Sequence, residues 1–264
     1  MMRTLITWLT MLVVTPFMAL LVIVAGLVGV RNRPGGIYDW GPRLWARIAL
    51  RVAGVRLVLH GGDRLASAAP RVFVSNHVSW FDIFALMAIL PRYRFVAKAE
   101  LFRIPLFGPA ARRAGTIPIE RENRKAAFQS YEEAARGIRD GASVVVCPEG
   151  TRGESYALRP FKKGPFVLAI AAAAPVVPVV VHGTREVQPK GSNRIRAAAV
   201  HVHFLDEIPT TGLTYEARDQ LADDCWRRMA TVLEQEYGVI SSGGSGRRDR
   251  SSARPVVEEP VPNP

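Results

Sequence analysis

Two short segments hold side chains able to move a proton or bind an anion. In VFVSNHVSWFDIFAL, residues 72–86, His77 precedes Asp82 by five positions across a strand-to-helix junction. If the strand stops at Asn76 and Ser79 caps the helix, Asp82 falls in the first turn and folds back toward the imidazole. A carboxylate there fixes the ring tautomer and stabilises the imidazolium, leaving the other nitrogen to accept a proton. A packing role fits the same pair equally well, because His and Asp meet at short spacing in many chains by chance.

The second segment is CPEGTRG, residues 147–153, directly after the apolar run SVVV. Glu149, Thr151 and Arg152 therefore emerge at a strand end, where α/β folds place ligands. Gly150 and Gly153 let the backbone turn and approach a ligand closely. Arg152 offers a forked donor suited to phosphate, although a tight turn with a surface ion pair reads the same way. GTIPIER, residues 115–121, delivers Arg121 to the end of another strand, and RPFKKG adds Arg159, Lys162 and Lys163, which read as solvated rim charges.

These segments need a scaffold, and the chain alternates accordingly. VRLVLHG, RVFVSN, YRFVAK, GTIPIE, SVVVC, PVVPVVVHG and AAAVHVHFL read as strands. Helices are expected from about Trp80 to Leu90, over Glu122 to Asp140, in GPFVLAIAAAA and over Thr214 to Tyr237. Alternation of this kind predicts an α/β layer fold, and the continuous apolar strands suit a sheet covered on both faces.

The ends differ from this middle. Thr4 to Val30 contains no charged residue, is long enough to cross a bilayer, and is interrupted by Pro16, so a kinked span and a re-entrant hairpin are both open. In the next stretch Arg43, Arg47 and Arg51 share one helical face, with Leu44, Trp45 and Ile48 mostly on another, the pattern of an interfacial helix on anionic lipid. We divide the chain into an anchoring segment and basic helix over 1–54, an α/β domain over 55–240, and a Gly, Ser, Pro and charge-rich tail over 241–264, read as disordered. The net charge of +12 favours anionic partners; the apolar N-terminus makes that partner a membrane rather than nucleic acid. Two cysteines, Cys147 and Cys225, are too few for a disulfide framework and suggest a cytosol-facing protein.

Some chemistries are excluded. A serine hydrolase has no Gly-x-Ser-x-Gly here. His201 and His203 alternate along a strand with His182 nearby, but no third ligand has the spacing that supports zinc, so no metal is expected.

Four blocks stand in series: His77 with Asp82, the Gly115-to-Arg121 strand, Pro-Glu-Gly-Thr-Arg and VVPVVV. In this order, over about residues 55–210, they resemble the glycerolipid acyltransferases, especially the bacterial 1-acylglycerol-3-phosphate acyltransferases. Cys147 departs from the bulky apolar residue common before Pro-Glu-Gly. The resemblance implies a mixed sheet flanked by helices. It implies His77 as the base for a lysolipid hydroxyl, Asp82 as its orienter, and direct attack on a thioester without an acyl-enzyme. It assigns Arg121, Glu149, Gly150, Thr151 and Arg152 to the glycerol phosphate. It also implies phosphatidic acid as product, acyl-CoA or acyl carrier protein as co-substrate with no other cofactor, and an inner-membrane enzyme facing the cytoplasm. The alternatives are another acceptor such as a lyso-ornithine lipid and, more remotely, a non-catalytic basic membrane-binding protein.

Overall fold

Runs of valine and phenylalanine place two strands at the centre of the sheet. In the computed structural model, which describes residues 1–66, 69–120, 131 and 134–243, β2 (Val72–Ser75) and β5 (Ser143–Val146) lie side by side in parallel and are buried at every position. Around them stand β1 (Arg56–His60), β3 (Tyr93–Lys98), β4 (Ile117–Ile119), β6 (Val176–His182) and β7 (Ala199–Phe204), in the order β1-β7-β6-β2-β5-β3-β4. Every pairing is parallel except β6 with β7, so β1 and β7 run against the other five strands. The sheet is mixed, as expected.

Strand alternation sends neighbouring residues to opposite faces. Phe73, Val145, Val177 and Val179 meet α2 (Ile37–Ala53) and α3 (Trp80–Ile89) through Ala46, Leu50, Phe81 and Leu86. Val72, Val74, Val144 and Val176 meet α5 (Gly164–Ala171) and α7 (Arg218–Tyr237) through Phe166, Leu168, Met229 and Leu233. Fully burying each such side chain contributes about 1.5–3 kcal/mol. Further helical segments are α4 (Phe107–Arg113), residues 134–139, whose Ala134, Ala135 and Ile138 join the core on the α5 and α7 face, and α6 (Thr184–Val187).

The N-terminal run is one helix, α1 (Met2–Leu27), which continues through Pro16 without forming a hairpin. It is long and apolar enough to cross a membrane. One stripe, with Ala19, Val22 and Ala25, packs on Tyr38 of α2 and Ala110 of α4; Leu9, Leu12, Val13, Phe17, Leu20 and Leu27 on the rest of its surface are exposed. Near its start, Thr4 Oγ1 accepts from Ile195 N at 3.0 Å, and Trp8 Nε1 donates to Asn193 O at 2.9 Å.

Two arginines of the basic face of α2 also make contacts within the protein. Arg43 donates to Leu90 O at 3.0 Å and to Pro91 O, and Arg47 donates to Ala88 O at 3.3 Å. The carbonyls in the last turn of α3 lack intrahelical partners and, with those just beyond it, form a negative end that draws guanidinium groups. Arg47 and Arg51 keep exposed surface. Arg121, much of the Glu122–Asp140 segment and residues 244–264 of the tail lie outside the described residues.

Candidate active site

The turn between β2 and α3 is built around one carboxylate. Ser79 caps α3, accepting from Phe81 N at 3.2 Å, and Asp82 closes the box by accepting from Ser79 N at 2.8 Å. The same Oδ2 accepts from Val78 N at 2.7 Å and lies 2.9 Å from His77 Nδ1. Oδ1 accepts from the hydroxyl of Thr184, at the start of α6. Asp82 is fully enclosed, at 0% side-chain exposure, whereas His77 keeps 15%. The helix cap thus also orients the ring. With Nδ1 facing a carboxylate, the proton sits there and Nε2 presents its lone pair outward.

Two further contacts hold this turn in the sheet. Asn76 extends the pairing of β2 with β6 through its side chain, donating to Val181 O at 2.9 Å and accepting from Val181 N at 2.8 Å. Gly183 takes φ 94°, and a Cβ there would stand 2.1 Å from Ala199 O. Only glycine permits the close approach that brings Thr184 over Asp82. Asn76 and Thr184 had no signal of their own, because their partners stand about a hundred residues away in sequence, as does Gln188, to whose carbonyl the Ser79 hydroxyl donates.

The Pro-Glu-Gly-Thr-Arg turn closes on His77 from the other side. Glu149 Oε1 accepts from His77 N at 3.0 Å, and Gly153 N donates to His77 O at 2.7 Å. The other Glu149 oxygen accepts from Arg159 Nε at 3.1 Å. Burial raises the Glu149 pKa, opposed by the His77 amide and the Arg159 guanidinium. Both oxygens of Glu149 are therefore engaged within the protein, and they tie this turn to His77 and Arg159. Arg159, expected as a solvated charge, is its ion-pair partner and also donates to Thr151 O.

The remaining sequence-selected residues spread around this turn. The Arg152 guanidinium lies over the Trp80 ring, 5.0 Å from its centroid, and Thr151 is exposed. Gly150, with Cys147, Lys162, Lys163, Val96 and Ile119, lines a cleft of about 430 Å³. Lys162 is exposed at this cleft, and Lys163 pairs with Asp219 at 3.3 Å. Arg121 follows Glu120, just after β4, and its own position is outside the described residues.

An imidazole on a buried carboxylate suits proton removal from a hydroxyl. Among the described residues, the ring is hydrogen-bonded to Asp82 and to no serine, threonine or cysteine that would act as a covalent nucleophile.

The chain belongs to the acyltransferase family, whose model, described as Acyltransferase, matches residues 56–182. Its relatives narrow the class. It is 34% identical over 198 residues to 1-acyl-sn-glycerol-3-phosphate acyltransferase alpha of Homo sapiens, covering 74% of this chain and 69% of that one. The beta form is 35% identical over 199 residues, 72% of each chain. The chloroplastic 1-acyl-sn-glycerol-3-phosphate acyltransferase BAT2 of Brassica napus is 36% identical over 187 residues, 69% of this chain, and this chain spans 54% of it. The crystal structure of the 1-acyl-sn-glycerophosphate acyltransferase of Thermotoga maritima shares the fold, with a TM-score of 0.73 at 22% identity, over 88% of this chain and 95% of that one.

Proposed function

We propose that the protein moves a fatty acyl group from an acyl thioester to the free hydroxyl of 1-acylglycerol-3-phosphate, giving phosphatidic acid. The observation that carries this reading is the His77 Nδ1–Asp82 Oδ2 contact of 2.9 Å at a strand end, in a chain whose relatives bear that activity in their names. His77 Nε2 takes the hydroxyl proton as the oxygen attacks the thioester carbonyl carbon. The C–S bond then breaks, and the imidazolium returns its proton to the departing thiolate. Asp82 stabilises the cationic ring throughout. Arg152 and Arg121 supply forked donors for the acceptor phosphate, and Glu149 holds the loop on which His77 rides.

The donor is acyl-CoA or acyl carrier protein. We place the enzyme in the inner membrane, facing the cytoplasm, with α1 as anchor; the apolar surface of α1 and the reduced Cys147 and Cys225 support this. The test is acyl transfer by purified full-length protein to lysophosphatidate, to other lysophospholipids and to a lyso-ornithine lipid, with both donors. Lysophosphatidate is expected to be the best acceptor. Preference for an acceptor without a phosphate monoester would replace this reading with the lyso-ornithine one.

A further inference from the structure

Pairing of β1 with β7 brings together histidines that are far apart in sequence. Their parallel register sets His60 opposite His203 and Val58 opposite His201. The rings of His60 and His203 are stacked face to face, with centroids 4.0 Å apart and planes nearly parallel, at 4°. Nε2 of His60 lies 3.1 Å from Nδ1 of His201. One ring nitrogen from each of the three histidines lies within 4.8 Å of the others. His201 and His203 had no third partner at metal-ligand spacing in the sequence; His60, more than 140 residues away, reaches them only through the sheet.

The chemistry of the group suits a cation despite its basic neighbours. Mutual repulsion disfavours the cationic form of all three imidazoles at once. Burial pushes His203 down to about 4, and His201 is lowered by burial, His60 and Arg56, so both present neutral rings at neutral pH. Neutral imidazole is the ligating form. The separation of 3.1 Å is close to the spacing of about 3.3 Å between two nitrogens bound to a tetrahedral zinc ion at 2.0–2.1 Å. His203 is further held by Tyr237 of α7, whose oxygen lies 2.6 Å from Nε2. Partners of this kind orient ligating imidazoles. A cleft lined by His60, His203, Arg64 and Asp206 gives solvent access, with Arg64 paired to Asp206 at 2.8 Å.

We propose that His60, His201 and His203 bind one divalent transition metal of the zinc class, at a site separate from His77 and Asp82. Three nitrogen donors with an open position select zinc, cobalt, nickel or copper over magnesium or calcium. Bound there, the ion ties β1 to β7 and, through Tyr237, to the end of α7.

The test uses full-length protein without a polyhistidine tag, in detergent and stripped with chelator. Cobalt(II) titration should develop visible absorption that saturates at one ion per chain and is displaced by zinc, and calorimetry should give the same stoichiometry for zinc. His60→Asn and His201→Asn change partly exposed side chains, so both should fold as wild type by circular dichroism. Each should weaken zinc binding by at least about 10–100-fold. His77→Ala should bind zinc as wild type does. Absence of saturable binding to the wild-type protein overturns the proposal. So do well-folded His60 and His201 variants that bind like wild type, or loss of the ion on changing His77 instead.

Discussion

Glu149 Oε1 accepts a hydrogen bond from the backbone nitrogen of His77 at 3.0 Å, joining two segments 72 residues apart. The Gly153 amide grips the same residue's carbonyl, so the main chain on both sides of the imidazole is held by one turn. Glu149→Gln keeps an acceptor for His77 but loses the charge that binds Arg159. A hydrogen bond to a charged group is worth about 1.5–3 kcal/mol, so kcat should fall roughly 10- to 150-fold while KM for lysophosphatidate changes little. A raised KM at constant kcat would instead put Glu149 against the acceptor.

His77→Ala should remove most acyl transfer, on the order of 10²–10⁴-fold, with the fold intact by circular dichroism. Asp82→Asn should also be severe, since an amide cannot stabilise the imidazolium. It also loses acceptor strength toward Val78 N, Ser79 N and Thr184, so it should unfold at lower denaturant. The two residues act as a unit, and the double variant per folded molecule should be little worse than His77→Ala. Wild-type turnover by folded His77→Ala would reduce the residue to packing.

Thr184→Val is nearly isosteric and removes only the hydroxyl that reaches Asp82 Oδ1. The buried oxygen then lacks a donor, at a cost of about 1.5–3 kcal/mol of stability. Chemical denaturation should show this together with a fall in kcat, and Thr184→Ser should recover both. Equal loss in the serine variant would show that the methyl group, not the hydroxyl, matters.

Much of this site was legible, and its limits have a physical pattern. Ser79 and Asp82 are capping residues at local spacing, so the helix start and the folding of Asp82 onto His77 followed from the chain itself. The apolar strands and their alternation with helices carried the layered fold. Contacts made by strand pairing were not legible. Thr184 over Asp82, Asn76 beside Val181 and His60 beside His203 depend on which strands become neighbours, and Arg159 on Glu149 depends on how the loop after β5 folds back. The arginines of α2 show a related limit: spacing of four says that Arg43 and Arg47 share a face, but not that this face meets the end of α3.

Stability should depend on pH through His203. Its pKa lies near 4 in the folded protein, below the ordinary value of 6.5, because burial and the facing His60, His201 and His182 disfavour its charged form. A depressed histidine contributes stability that is present above the unfolded value and lost as pH falls through the folded one. Wild-type melting temperature should therefore decline between about pH 6.5 and 4, and His203→Gln, measured without metal, should decline less steeply. Parallel curves for the two proteins would assign the acid sensitivity to other groups.

The contacts of α1 bear on how the enzyme would meet its substrate. Thr4 and Trp8 bind the segment that leads into β7, and further along the helix Thr15 Oγ1 accepts from Trp45 Nε1 at 3.0 Å. A helix fastened at several points along its length is not a leash. With the exposed surface of α1 in lipid, as proposed, the domain would not tumble about its anchor, and His77 would keep one height and one tilt above the leaflet. Encounter with a lysolipid would then become a search in two dimensions with the orientation already set, and the diacyl product could return to the same leaflet without crossing water.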